Sequence, residues 1–473
     1  MESNLDDTTM KPRVLFVDDG DIASMRGVQR VIHPARKHAG NPVLVADKPW
    51  ESDIGLNGTV LAEGGSYRMW YQAGGKNTYL NLYAESENGT AWTKPLLRQY
   101  EDFTGSLDNN IYLNRLALRS DSRRPFSVKT DHNQNVLYTP HMGKGRRYIM
   151  LSYDYGRSGY SAYDGYFLAF SDDGLHWTDG PEEAVIPGHA DVGWFTFDQR
   201  DSVFRGIVKT FLNIRGHSRR SVLWTESDDA HDWLMPRPAV IPDPEDEEWT
   251  QGHEGYFTQF YGMPIVRYES MLLGFLQIFK CTDGASSNGP MEVQLTSSRD
   301  GRRWQRVGDR RPILERGPEG AWDWGMVSSK NSLVSDGDIV RLYYSGTNRL
   351  HGGRTIGDAR VDRGVGLATW PRDRFVGLRS SAGGGELVVA RQRPIGELHV
   401  NAHAAGGSLV AEIVEGGNPV PGFEASNCIP LSDDSLDHVV RWRGDASLTS
   451  LKGRSADIVI KLTNAEVFSL WWR

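Results

Sequence analysis

A short phrase that returns along the chain constrains its fold more than any other feature. Ser171-Asp172-Asp173-Gly174-Leu175-His176-Trp177 has close copies in Ser86-Glu87-Asn88-Gly89-Thr90-Ala91-Trp92 and Ser298-Arg299-Asp300-Gly301-Arg302-Arg303-Trp304. A looser copy, Ser227-Asp228-Asp229-Ala230-His231-Asp232-Trp233, has alanine in place of the glycine. Arg372-Asp373-Arg374-Phe375 keeps only the turn and an aromatic. Three strand-like runs precede each copy, as in 58–61, 67–71 and 82–85 before the first, and a further short run follows each tryptophan. A unit repeated every few tens of residues cannot bury its apolar face alone and must pack on its neighbours. Four-stranded units repeated radially make a propeller, so five copies predict a five-bladed β-propeller.

The phrase stops near residue 378. Beyond it, 398–402 and 457–461 alternate apolar and polar side chains between Gly, Pro and Asp turns, the pattern of a small antiparallel β-sandwich. The chain is therefore expected to be all-β. Residues 1–12 are expected as a disordered tail, 13–378 as the propeller that carries catalysis or ligand binding, and 379–473 as the sandwich. In the second repeat the first strand is placed at 126–129.

The chain has 473 residues, 39% hydrophobic and 24% charged, enough for a large core and more than one domain. Its 52 glycines favour turns. A net charge of -8 argues against nucleic acid as the main partner, and no apolar run reaches the length of a membrane helix. The acidic start has no apolar core of a secretory signal, and the two cysteines, Cys281 and Cys428, are far apart. A cytoplasmic protein with two buried free thiols is expected, with no cofactor and no metal, and an oligomer is left open.

Tyr67-Arg68-Met69-Trp70-Tyr71, Arg147-Tyr148-Ile149-Met150 and the repeated phrase together resemble the five-bladed propeller glycoside hydrolases of families 32, 43, 62 and 68. The order of propeller then sandwich is most similar to family 32. Asn41-Pro42-Val43-Leu44, Pro49-Trp50-Glu51, Asp108-Asn109-Asn110-Ile111, Tyr261-Gly262-Met263 and Trp322-Asp323-Trp324-Gly325 resemble a bacterial group related to that family. The resemblance implies a hydrolase of carbohydrate metabolism. The three acidic motifs of family 32 are absent, with Arg123-Arg124-Pro125 where a carboxylate motif would fall, so no catalytic residue carries over by motif.

The propeller geometry selects candidates without a motif, because ligands meet the axis at the starts of the innermost strands. Asp53, Asp191, Glu254 and Asp323 are the expected catalytic carboxylates. Glu51, Asp108, Asn109, Asn110, Trp194, His253, Tyr256 and Trp324 are expected to bind substrate, with Gln259, Trp322 and Lys330 close by. Glycoside cleavage needs one protonated and one ionised carboxyl, and aromatic neighbours both stack on sugars and raise a carboxyl pKa. Asp131, Asp198 and Asp336 fall near hairpin turns and read as solvated, as does the run 243–248. The expected function is exo-acting hydrolysis of a small oligosaccharide or glycoside, furanosides included. The alternatives are a non-hydrolytic carbohydrate-binding propeller, or a polysaccharide lyase-type enzyme using Arg124, Arg215 or His253.

Overall fold

The computed structural model describes residues 12–74, 79–113, 132–154, 164–181, 183–285, 287–353, 362–444 and 447–473. The chain is all-β, with only short 3-10 turns besides strands. Apolar residues alternate into the repeats, and five antiparallel meanders result. The first comprises Asp53–Glu63, Ser66–Gly74, Tyr79–Ser86 and Ile111–Leu113. The second comprises His132–Tyr138, Tyr148–Asp154, Gly165–Ser171 and Thr178–Asp179. The third comprises Gly193–Asp198, Val203–Ile214, His217–Ser227 and Arg237–Val240. In the fourth, Phe257–Gly262 and Ile265–Tyr268 share the first position against Met271–Cys281, which pairs with Met291–Ser298 and that with Gln305–Arg306. The fifth comprises Met326–Asp336, Ile339–Thr347 and Arg363–Pro371, and its outer strand is Arg36–Lys37 from near the start of the chain.

The first strands of successive meanders pack side by side, and the fifth returns to the first through the parallel bridge between Asn331 and Thr59. Asn331 reaches across this ring, donating to Asn135 Oδ1 and to the Phe195 carbonyl, both at 2.7 Å. The strands enclose a cavity of about 250 Å3 lined by Val60, Val136, Phe195, Ile265, Lys330 and Leu333 among others.

The repeated phrase is a hydrogen-bonded turn. Ser86, Ser171 and Ser298 Oγ accept from the Gly89, Gly174 and Gly301 amides at 2.8–2.9 Å. The acidic or amide side chain between them accepts from the next two amides, as Asp173 does from Leu175 and His176 at 2.8 Å. Trp177, Trp233 and Trp304 donate their indole N–H to the carbonyl at the glycine or alanine position, at 2.7–3.1 Å. These turns also join the meanders. Trp70 of the first donates to the Gly174 carbonyl of the second, and Tyr343 of the fifth to Gly89 of the first, both at 2.7 Å. Arg205 of the third donates to Asp300 of the fourth at 2.9 Å. At Gly174, φ is +76°, and a Cβ would lie 2.8 Å from Trp70 Cζ2. Gly174→Ala is therefore expected to destabilise the chain by about 2 kcal/mol, read by urea unfolding.

Residues 14–32, expected from sequence within the propeller span 13–378, pair with strands near the C-terminus. Val14–Leu15 pairs with Glu466–Trp472, Ile22–Arg26 with Gly385–Gln392, and Val28–Ile32 with Val376–Ser380. Two sheets from these segments share an apolar core that includes Leu378, Leu387, Val400, Ile413, Ile460 and Leu470. Cys281 and Cys428 are buried free thiols. No helix is long and apolar enough to cross a membrane among the described residues.

The first strand of the second meander is His132–Tyr138, whereas the strand expected at 126–129 lies outside the described residues, as do Asp131 and Arg123–Arg124–Pro125. The tail expected over 1–12 lies outside them up to residue 11. Asp198 is not solvated: it is fully buried and accepts from Arg205 and Arg267 at 2.5–3.0 Å. The hairpin that exposes it in sequence terms is covered by the fourth meander, which supplies Arg267. Asp336 remains half-exposed while accepting from Tyr67 at 2.6 Å. The run 243–248 is also less open than expected, since Arg306 and Arg310 bind Asp246 and Asp243 at 2.7–2.8 Å.

Candidate active site at the strand-start end of the ring

Two β-bulges shape the end of the ring where the first strands begin. The register of Asp53–Glu63 shifts between Gly55 and Thr59, and that of Met326–Asp336 between Ser329 and Leu333. A bulge turns a side chain out of the regular alternation. Here the two bulges face Asn57 and Lys330 toward each other, with Lys330 Nζ 3.3 Å from Asn57 Oδ1. Gly58 is needed at the first bulge, since a Cβ there would lie 2.1 Å from the Trp70 carbonyl oxygen.

Lys330 is buried and its ammonium stands 4.8 Å from the centre of the Trp194 ring. Burial, then the charges of Arg363 and Lys209, pull its pKa down to about 7. Arg363 pairs with Asp53 at 3.0 Å and Lys209 with Asp191 at 2.7 Å. Lys209 Nζ also lies 4.4 Å from the Tyr261 ring centre. Arg220, which donates to Gln259 Oε1 at 3.0 Å, lies over Tyr261 and Phe279, with the half-exposed Phe211 opposite.

His351 closes the far side. Its Nδ1 is 2.7 Å from the Ser287 carbonyl, which can only accept, so Nδ1 carries the proton. Burial lowers the His351 pKa, and the neutral ring offers Nε2 as acceptor to the Tyr261 hydroxyl at 3.1 Å. On the second meander, the Tyr153 hydroxyl donates to the His189 carbonyl at 3.1 Å and so holds the loop that carries Asp191. Burial, then the charges of Asp164, Asp191 and Asp154, raise the Tyr153 pKa. Burial and the neighbouring Asp154 raise the pKa of Asp164.

The structure brings Asp53 and Asp191 into this end, beside Lys330 and Trp194, but not the other two expected catalytic carboxylates. Glu254 is exposed on the turn before Phe257–Gly262, with His253 also exposed and Tyr256 stacked on Trp249 at 5.8 Å. Asp323 is buried, and Oδ2 accepts from Lys37 at 2.5 Å and Tyr344 at 2.9 Å. Lys37 and Tyr344 belong to the fourth and second strands of the fifth meander, so this carboxylate faces outward, away from the first strands. Trp322 stacks on Tyr344, and Trp324 lies beneath Arg316, also outside.

Glu51, Asp108, Asn109 and Asn110 have partners within the first meander and its flanking loops. Glu51 accepts from Tyr71 and Lys94 at 2.6 Å and from the Asp47 and Lys48 amides, which uses both its oxygens. Asn109 donates to the Tyr100 and Ser106 carbonyls and accepts from the Ile111 amide. Asn110 joins Trp50, Tyr71 and the Tyr83 carbonyl. Asp108 is exposed and paired with Arg98. Trp194 is fully buried and cannot serve as an open stacking face. Lys209, Arg220, Arg363, Tyr153 and Asp154 on second and third strands, and His351 and Asp164 in the segments leading into third strands, were not legible as site residues, because these positions carry none of the repeated phrase. Among the described residues no cluster suited to a metal ion occurs.

No family model matches the chain, and no curated protein matches it. Solved structures that align with it include an N-acetylgalactosamine deacetylase from F. plautii, 16% identical, covering 74% of this chain and 97% of that one at a TM-score of 0.46. A glycosyl hydrolase from Bacteroides ovatus is 14% identical, covering 73% and 95% at 0.48. A β-1,2-mannobiose phosphorylase from Listeria innocua is 11% identical, covering 72% and 97% at 0.47. At these identities and scores, none of them decides the chemistry of this chain.

Proposed function

We propose that the five meanders are the blades of a β-propeller, followed by a β-sandwich to which residues 14–32 add strands. On this reading the chain is a carbohydrate-active enzyme that cleaves a glycosidic bond at the strand-start end of the ring. The observation that carries it is the meeting of carboxylates in unlike surroundings there. Asp191 is ion-paired with Lys209. Asp164 is pushed toward its protonated form by burial and Asp154, and both act on Tyr153. A carboxyl whose pKa is raised and a carboxylate held in an ion pair supply an acid for the departing oxygen and a carboxylate for the anomeric carbon or its attacking water. Asp53, held by Arg363 and partly exposed, is placed to accept from sugar hydroxyls. Phe211, on the hairpin that extends past the ring beside Arg220, offers an open aromatic face.

The hydrolytic reading, exo action on a small oligosaccharide or furanoside included, is tested by incubating the full chain with a panel of 4-nitrophenyl glycosides, neutral and uronic, and with small oligosaccharides. Release of a reducing sugar supports it. An unsaturated product absorbing in the ultraviolet would instead identify elimination, and binding without turnover would identify a carbohydrate-binding protein.

A further inference from the structure

Lys330 has no role in the acid–carboxylate pair described above, yet it is the most unusual charged group at that end of the ring. Its ammonium is buried and heads the axial cavity. Among the described residues its hydrogen-bond partner is a neutral amide oxygen, Asn57 Oδ1, at the long distance of 3.3 Å, and its other neighbour is the Trp194 ring. No described carboxylate pairs with it. The nearest cations are tied elsewhere: Arg363 lies against Gly55, two residues from Asn57, and pairs with Asp53, while Lys209 pairs with Asp191. Lys209 and Arg363 thus each have a carboxylate partner, while the buried Lys330 has none among the described residues. Folded proteins rarely leave a buried charge without a counter-charge: either the group gives up its proton or a ligand supplies the opposite charge.

We propose that Lys330 is an oxyanion-binding residue, so that the ligand of the axial site carries a carboxylate or phosphate group that takes the place of the missing counter-charge. The bonds are charge-assisted, Lys330 Nζ donating to an anionic oxygen, with Arg363 and Lys209 adding attraction from either side. Asn57 orients the ammonium. The inference rests on the strand-start end being the ligand site, but not on which carboxyl performs the chemistry.

Isothermal titration of the full chain at low ionic strength separates these points, with inorganic phosphate, glucuronate and glucose as probes. At least one of the two anions is expected to bind about tenfold more tightly than glucose, and Lys330→Met to lose that preference. Phosphate alone would identify a free or esterified phosphate as the source, and glucuronate alone a uronosyl group. Asn57→Asp gives Lys330 an internal counter-charge without removing it, and is expected to abolish anion binding as well. Thermal unfolding checks that both variants fold. Anions binding no better than glucose, or binding equally to wild type and folded Lys330→Met, would overturn the proposal. Because the readout is binding, its failure leaves the carboxylate assignment standing, and loss of the carboxylate assignment leaves this one standing.

Discussion

Lys330→Met is expected to make the folded chain more stable below pH 7, by up to about 5 kcal/mol. The folded environment lowers the Lys330 pKa from 10.5 to about 7, through burial first and the Arg363 and Lys209 charges second. Below pH 7 the lysine is charged in both states, and the full cost of keeping an ammonium in that setting weakens the wild type. Between pH 7 and 10.5 the unfolded lysine stays protonated while the folded one loses its proton, so wild-type stability rises toward that of the variant. Above 10.5 both are neutral and the electrostatic difference is gone. Methionine matches the unbranched stem, so packing against Trp194 changes little. Urea unfolding of both proteins at pH 6, 8 and 9.5 reads the difference. A gap that shrinks with pH fits the account; a variant less stable at pH 6, or a gap independent of pH, does not. A residue that destabilises its own fold in this way is characteristic of a functional site.

Asp191→Asn is expected to lower kcat by on the order of a thousandfold or more on a cleaved glycoside, since it removes the ionised carboxylate. The amide keeps an oxygen for the Lys209 ammonium, now at 2.7 Å from Asp191, so the loop held by Tyr153 and the buried lysine keep their contact. The fold should survive, and circular dichroism reads it. The loss should fall on kcat more than on KM, as for a group needed in the transition state. Asp164→Asn should also lower kcat, with a smaller loss on glycosides whose leaving group needs no proton, such as 4-nitrophenol. That contrast separates the acid from the ionised partner.

The repeated phrase made the meanders legible because its chemistry is local. Serine and aspartate satisfy backbone amides within three residues, glycine takes a positive φ, and tryptophan closes the turn. The outer strand of the fifth meander and the partners of residues 14–32 were not legible, because those pairings span more than three hundred residues and carry no local signal. The same limit applies to the site. Asp53 and Asp191 could be placed at this end from sequence because strand starts converge wherever first strands form a ring. Asp323 resembled them in sequence, between two tryptophans, yet Lys37 from the other end of the chain draws its carboxylate outward. Lys209 and Arg363 sit on second- and third-strand positions whose facing depends on hairpin register, and Asp164 just before a third strand, so nothing in their neighbours singled them out.

The most direct test of the central claim compares wild type, Asp191→Asn, Glu254→Gln and Asp323→Asn on one glycoside that the wild type cleaves. The account predicts loss of turnover in Asp191→Asn alone, with Glu254→Gln at the wild-type rate and Asp323→Asn active but less stable, because Lys37 loses its buried partner. Wild-type turnover by folded Asp191→Asn, or loss of turnover in folded Glu254→Gln, would contradict it.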